Sequence, residues 1–156
     1  MTKIIFVCHG SICRSPAAEF IFKKMLKDNN LEKYYSCKSL ALSNDALGCD
    51  IYPPMKRALD KYGIEYDKHI STKATQEALD EADYVFYMDE ENKKLIKQQF
   101  TWSNKFICLA DYIDENEVDD PWYTGGHELI VRQLMQALNN LLIELESKRK
   151  TKQKEA

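Results

Sequence analysis

No run of apolar residues in this 156-residue sequence approaches the ~20 needed to cross a bilayer, so no transmembrane helix is expected. Neither sign of charge is in excess. Lys and Arg number 22 against 25 Asp and Glu, and the net charge of −3 gives no reason to expect a nucleic-acid or membrane partner. Met1-Thr2-Lys3 leads straight into a short apolar run, which is not the pattern of a signal peptide. The five cysteines (Cys8, Cys13, Cys37, Cys49 and Cys108) are odd in number and lack the spacing of a disulfide scaffold, which suits a reducing, cytoplasmic setting. Cys8 and Cys13 lack the second pair, or the histidines, that a zinc site would add, so no metal and no cofactor is expected.

No linker or internal repeat divides the chain, and its length fits one domain. We assign that domain to residues 1–148 and read 149–156 as a charged, solvated tail. Apolar β-rich runs at 3–7, 34–40, 84–88 and 105–109 alternate with helical patterns at 15–27, 54–61, 75–80, 89–99 and 128–148. That alternation predicts an α/β fold: a four-stranded parallel twisted sheet with helices on both faces. Ala18, Ile21, Phe22, Met25 and Leu26 form the inward face of the first helix. Ile130, Leu134, Leu138, Leu141, Leu142 and Leu145 do the same in the last.

Five residues separate Cys8 from Arg14 in Val-Cys-His-Gly-Ser-Ile-Cys-Arg-Ser-Pro, between a strand and a helix start. Cys8 alone would fit a small buried hydrophobe at a strand end. The combination with Gly10, Arg14, Ser15 and Pro16 instead suggests a cradle for one oxyanion. The backbone amides of His9, Gly10, Ser11, Ile12, Cys13, Arg14 and Ser15 can ring a phosphate, helped by the positive end of the helix. The same field favours the Cys8 thiolate. Gly10 is the natural place for a positive φ. Arg14 offers two parallel donors to two oxygens, and Ser15 can place its hydroxyl beside the Cys8 sulfur.

Ester cleavage also needs a proton donor, which neither Cys8 nor Arg14 supplies. Within the acidic stretch 114–120, Asp120 precedes Pro121, which keeps it out of helix, and the crowding of like charge would raise a carboxyl pKa there. Asp119 is the rival, and most of this stretch is expected to be a solvated loop.

The segment Val7 to Glu19 resembles the signature of the low-molecular-weight protein tyrosine phosphatases, Cys-x-Gly-Asn-x-Cys-Arg-Ser-Pro. Tyr87-Met88-Asp89-Glu90 with Asn92 resembles the family's Met-Asp-x-x-Asn segment. Asp120-Pro121-Trp122-Tyr123 resembles its Asp-Pro-Tyr-Tyr loop, and Gly48 to Gly63 resembles the middle of bacterial members. The resemblance implies hydrolysis of protein phosphotyrosine, or of small aryl phosphates, through a cysteinyl-phosphate without a metal, releasing inorganic phosphate. The expected roles are Cys8 as nucleophile, Arg14 as phosphate clamp and Asp120 as acid, with Trp122 and Tyr123 as cleft walls. It further implies that Cys13 can form a disulfide with Cys8 under oxidation, that Ser39 and His69 support the loop by hydrogen bonds, and that the chain is a monomer or weak dimer.

Two departures stand out. Ser11 replaces the family's loop asparagine, and no aromatic residue occurs near Asp45 and Ala46. Three other functions share parts of this pattern. Arsenate reductases of the same fold would need two further downstream cysteines, where only Cys108 lies. Phosphoarginine phosphatases resemble this scaffold but prefer threonine at the position of Ile12. A non-catalytic phosphate-binding module would be expected to lack the nucleophile or the acid.

Overall fold

The structure is a computed structural model, which describes residues 1–121 and 126–155. Its centre is the strand β1 (Thr2–Cys8), in which Ile4, Ile5, Phe6 and Val7 are all buried. Burial of consecutive residues means both faces of the strand are covered, as expected for a parallel sheet. The chain then forms α1 (Arg14–Asp28), β2 (Tyr35–Ala41), α2 (Pro53–Lys61), α3 (Gln76–Glu81), β3 (Tyr84–Tyr87), α4 (Glu90–Gln99), β4 (Phe106–Cys108) and α5 (His127–Glu155), with a 3₁₀ turn at Leu109–Ile113.

The strand order is β2-β1-β3-β4, and all pairings are parallel. From β1 the chain crosses first to β2 on one side and later returns to β3 on the other. The two crossovers therefore diverge at the carboxyl end of β1, and an open sheet of this kind leaves a crevice there. Residues 8–14 occupy that point.

The helix starts follow from local chemistry. Thr75 caps α3 by accepting from Ala78 N at 3.1 Å, and Asp89 caps α4 by accepting from Asn92 N at 2.8 Å. Pro53 opens α2, where a missing N–H costs nothing. On α1, Ala18, Ile21, Phe22 and Leu26 are buried, with Met25 half-buried; on α5 all six expected inward residues are buried. The last helix runs to Glu155 rather than ending near Lys148. Arg149 accounts for its continuation past that point, because it makes a two-pronged contact with Glu146 and lies 3.9 Å over the Tyr34 ring.

An aromatic group joins β1, β3 and the 3₁₀ turn. Phe86 stacks at 5.9 Å on both Phe6 and Tyr84 and meets Tyr112 edge-on at 6.1 Å. Phe86→Ala is expected to cost about 3–5 kcal/mol of stability, measured as a lowered denaturant midpoint with unchanged slope.

Candidate active site

Between β1 and α1 the carbonyls of the loop are held from outside. Cys8 O accepts from Leu42 N, and His9 O accepts from Ser43 N and Ser43 Oγ, each at 3.0 Å. Gly10 O accepts from Ser71 Oγ at 2.7 Å, Ser11 O is bonded to His69 Nε2 at 2.6 Å, and Ile12 O accepts from Tyr52 N at 2.8 Å. In a trans peptide each N–H points opposite to the preceding carbonyl, and no bond here is cis. Anchoring five successive carbonyls outward therefore turns the amides of His9, Gly10, Ser11, Ile12 and Cys13 inward. The start of α1 adds to them, because Cys13 gives it no side-chain cap and its first-turn N–H groups have no intrahelical acceptor.

The left-handed residue in this loop is Ser11, at φ 52°, and not Gly10. A Cβ placed on Gly10 would meet its nearest neighbour, Ala46 Cβ, at an ordinary 3.5 Å, so neither a positive φ nor a steric need explains the glycine. Ser11 is fully buried, and the strain of its conformation is about 1–2 kcal/mol. It is held by the His69 bond to its carbonyl and by Ser15, whose hydroxyl donates to Ser11 Oγ at 2.9 Å. The Cys8 thiol in turn donates to Ser15 Oγ at 3.2 Å.

Arg14 is 2% exposed and held by distant segments. Its Nη1 donates to Asp89 Oδ2 at 2.7 Å and to Val118 O at 2.8 Å, and its Nη2 lies 3.6 Å from Asp120 Oδ2. Burial opposes the guanidinium charge, but Cys8, Asp89 and Asp120 outweigh it and raise the Arg14 pKa further. Val118 also donates its N–H to Met88 O at 2.7 Å, which pins the acidic segment to the end of β3. Of that segment, Asp114, Glu115, Glu117 and Asp119 are exposed, whereas Asp120 lines the cleft. The cleft has a volume of about 280 Å³ and is walled by Cys8, Ile12, Arg14, Ala46 and Asp120. A larger cavity of about 520 Å³ lies away from the loop, beside α1 and β2, with three lysines and no contact with these groups.

Cys8, Arg14 and Asp120 thus come together as the sequence predicted. His69 reaches the loop, but Ser39 does not. In register it stands opposite Phe6, two residues before Cys8, and its hydroxyl donates to the buried Glu19 at 2.7 Å. Ser43 and Ser71 make the loop contacts, and sequence reading did not single out either. Asp89 caps α4 locally, but nothing in the sequence marks it as the partner of Arg14. Cys13 is buried beside Cys8; burial, and the charges of Cys8 and Asp120, push its pKa up to about 12, so it stays a thiol at neutral pH. Trp122 and Tyr123 lie outside the described residues.

Asp50 braces the outer ring. It accepts from Lys56 Nζ at 2.8 Å and from His69 N at 3.0 Å. The Lys56 hydrogen bond is the main cause that holds its pKa at about 2, against an ordinary 3.8. A lowered folded-state value stabilises the fold above the ordinary value, and that stabilisation is lost as pH falls through about 2. Wild type is therefore expected to melt above Asp50→Asn at neutral pH, with the gap closing as pH approaches about 2, as thermal melts across pH would record.

Known proteins resemble the chain in sequence and in fold. The family model of low molecular weight phosphotyrosine protein phosphatases matches residues 3–154. The low molecular weight protein-tyrosine-phosphatase YfkJ of Bacillus subtilis is 28% identical over 154 residues, covering 96% of this chain and 99% of the relative. PtpA of Staphylococcus aureus is 32% identical over 145 residues, covering 91% of this chain and 92% of that protein. The crystal structure of YfkJ superposes with a TM-score of 0.90 at 29% identity, covering 95% of this chain and 96% of YfkJ. A protein tyrosine phosphatase from Entamoeba histolytica gives 0.88 at 29% identity, covering 96% of this chain and 99% of that one. Because the matched region carries both the loop at 8–14 and the segment with Asp120, the chain belongs to the low molecular weight phosphotyrosine protein phosphatase family.

Proposed function

We propose that this protein hydrolyses phosphotyrosine in proteins, or small aryl phosphates, in two steps through a phosphorylated Cys8. The observation that carries this reading is the meeting of Cys8, Arg14 and Asp120 in one cleft, although Asp120 arrives from the far end of the chain. In the first step the Cys8 sulfur attacks phosphorus in line, and the phosphorus–oxygen bond to the tyrosine breaks. The inward amides and Arg14 hold the three equatorial oxygens, where charge gathers in the transition state. Asp120, as the acid, gives its proton to the departing phenolate oxygen. In the second step the Asp120 carboxylate takes a proton from water, which attacks the phosphocysteine and releases inorganic phosphate. When Cys8 is ionised, the Ser15 contact reverses: its hydroxyl donates to the sulfur and stabilises it as nucleophile and as leaving group. A setting in which thiols stay reduced, such as the cytosol, suits this use of Cys8; all five cysteines are free.

Arg14 is required for its shape as well as its charge. Arg14→Lys keeps a cation but loses the planar fork that bonds Asp89 and Val118 while facing the phosphate. It is expected to lower kcat/KM by roughly 10²–10³-fold, the order seen when one donor to a developing oxyanion is removed.

The substrate class is tested by comparing rates on matched peptides carrying phosphotyrosine, phosphoserine or phosphoarginine. Preference for phosphotyrosine supports the reading, with Ile12 supplying an apolar wall to the ring. Equal or greater rates on phosphoarginine would overturn the substrate assignment and leave the cysteine mechanism standing.

A further inference from the structure

The mouth of the cleft carries charge that the phosphate chemistry leaves unused. The His9 side chain stands between two carboxylates from separate elements. Its Nε2 lies 2.6 Å from Asp45 Oδ2, in the segment after β2, and its Nδ1 lies 3.0 Å from Glu91 Oε1, in the first turn of α4. Neutral imidazole has one N–H and one lone pair, so only the imidazolium donates to both. Partial burial works against that charge, but the hydrogen bond to Asp45 and the field of Glu91 outweigh it and raise the His9 pKa above 6.5. With the imidazolium formed, the three groups together carry one net negative charge, and with neutral imidazole they carry two, so the group is anionic in either state.

Each carboxylate gives one oxygen to His9, and the other, Asp45 Oδ1 or Glu91 Oε2, has no hydrogen-bond partner among the described residues. Both side chains are well exposed, at 73% and 58%. The only other cation lining this cleft among the described residues is Arg14, which is buried and engaged by Asp89. A bound substrate would therefore meet a cation at its phosphate and two exposed carboxylates, Asp45 and Glu91, at the mouth of the cleft.

We propose that Asp45 and Glu91, braced by His9, determine specificity: they favour phosphotyrosine flanked by lysine or arginine and disfavour acidic flanks. His9 is the positioning residue, because it holds both carboxylates to the edge of the cleft and acts through them. The inference rests on the phosphotyrosine reading above. Exposed ion pairs of this kind change rates by roughly two- to fivefold each and weaken with salt.

The test measures kcat/KM on three phosphotyrosine peptides of one length, flanked by lysine, glutamine or glutamate, at low and high salt. Wild type and the double variant Asp45→Asn/Glu91→Gln are compared, with p-nitrophenyl phosphate reporting whether the variant keeps a working loop. Wild type is expected to prefer the lysine peptide over the glutamate peptide by about fivefold or more at low salt, with the ratio shrinking at high salt. The double variant should bring the ratio near one. A His9 NMR titration midpoint above 6.5 that falls in the double variant would support the brace. Peptides hydrolysed with no charge preference in wild type, or a preference that survives in the double variant, would overturn this inference alone. Failure to hydrolyse any phosphotyrosine peptide would overturn the substrate reading and this inference with it.

Discussion

Cys8→Ser is expected to reduce turnover of phosphotyrosine substrates by roughly 10⁴-fold or more, the scale seen when a covalent nucleophile is removed. A serine hydroxyl is close in size to the thiol and finds the same neighbour, Ser15 Oγ, now at 3.2 Å from sulfur. The fold should therefore persist, and a thermal melt should show little change. What is lost is ionisation: the thiolate is the attacking species, and a hydroxyl remains protonated at neutral pH without an adjacent base. Arg14 and the inward amides are untouched, so the variant should still bind inorganic phosphate by calorimetry. Retained binding with lost turnover separates the nucleophile from the cradle.

Asp120→Ala is expected to lower kcat by roughly 10²–10⁴-fold, the usual contribution of a positioned general acid. The loss should depend on the leaving group. Tyrosine departs as a phenolate with a parent pKa of about 10 and needs the proton, whereas the more acidic p-nitrophenol needs it far less. KM should not rise, because the substitution removes a carboxylate 3.6 Å from Arg14 Nη2 and leaves that cation freer for phosphate. Asp119→Ala, at an exposed position one residue away, is the control and should change kcat by less than about twofold. A larger loss at Asp119 than at Asp120 would make Asp119 the acid and overturn the role given to Asp120.

The parts of this molecule that could be read from the sequence are those written locally. The loop from Cys8 to Arg14 lies between a buried strand and a helix, and both elements announce themselves by apolar pattern. Asp89 could be read as a cap because its partner, Asn92 N, is three residues away. Its second bond, to Arg14 across 75 residues, has no local signal, and neither does the bond from Ser71 to Gly10 O across 61. Asp120 lies between these cases: Pro121 marks it as extended, but only tertiary structure brings it near Arg14. Two expectations about the site failed for definite reasons. Ser39 sits on the strand that flanks the loop, yet two residues short of its end, so its hydroxyl meets Glu19 in α1 instead. Gly10 drew attention because glycine tolerates positive φ, but the conformation falls on Ser11, where buried hydrogen bonds hold it.

Passage of phosphate through Cys8 is tested directly by rapid quenching of the enzyme with a phosphotyrosine peptide, followed by intact mass and peptide mapping. Asp120→Ala should slow breakdown of the intermediate for want of a base, so the variant is the better form to quench when an activated aryl phosphate loads it. One phosphoryl group per chain is expected, on the peptide containing Cys8, and none in Cys8→Ser. Phosphate on another residue, or steady release of inorganic phosphate by Cys8→Ser at the wild-type rate, would contradict passage through Cys8.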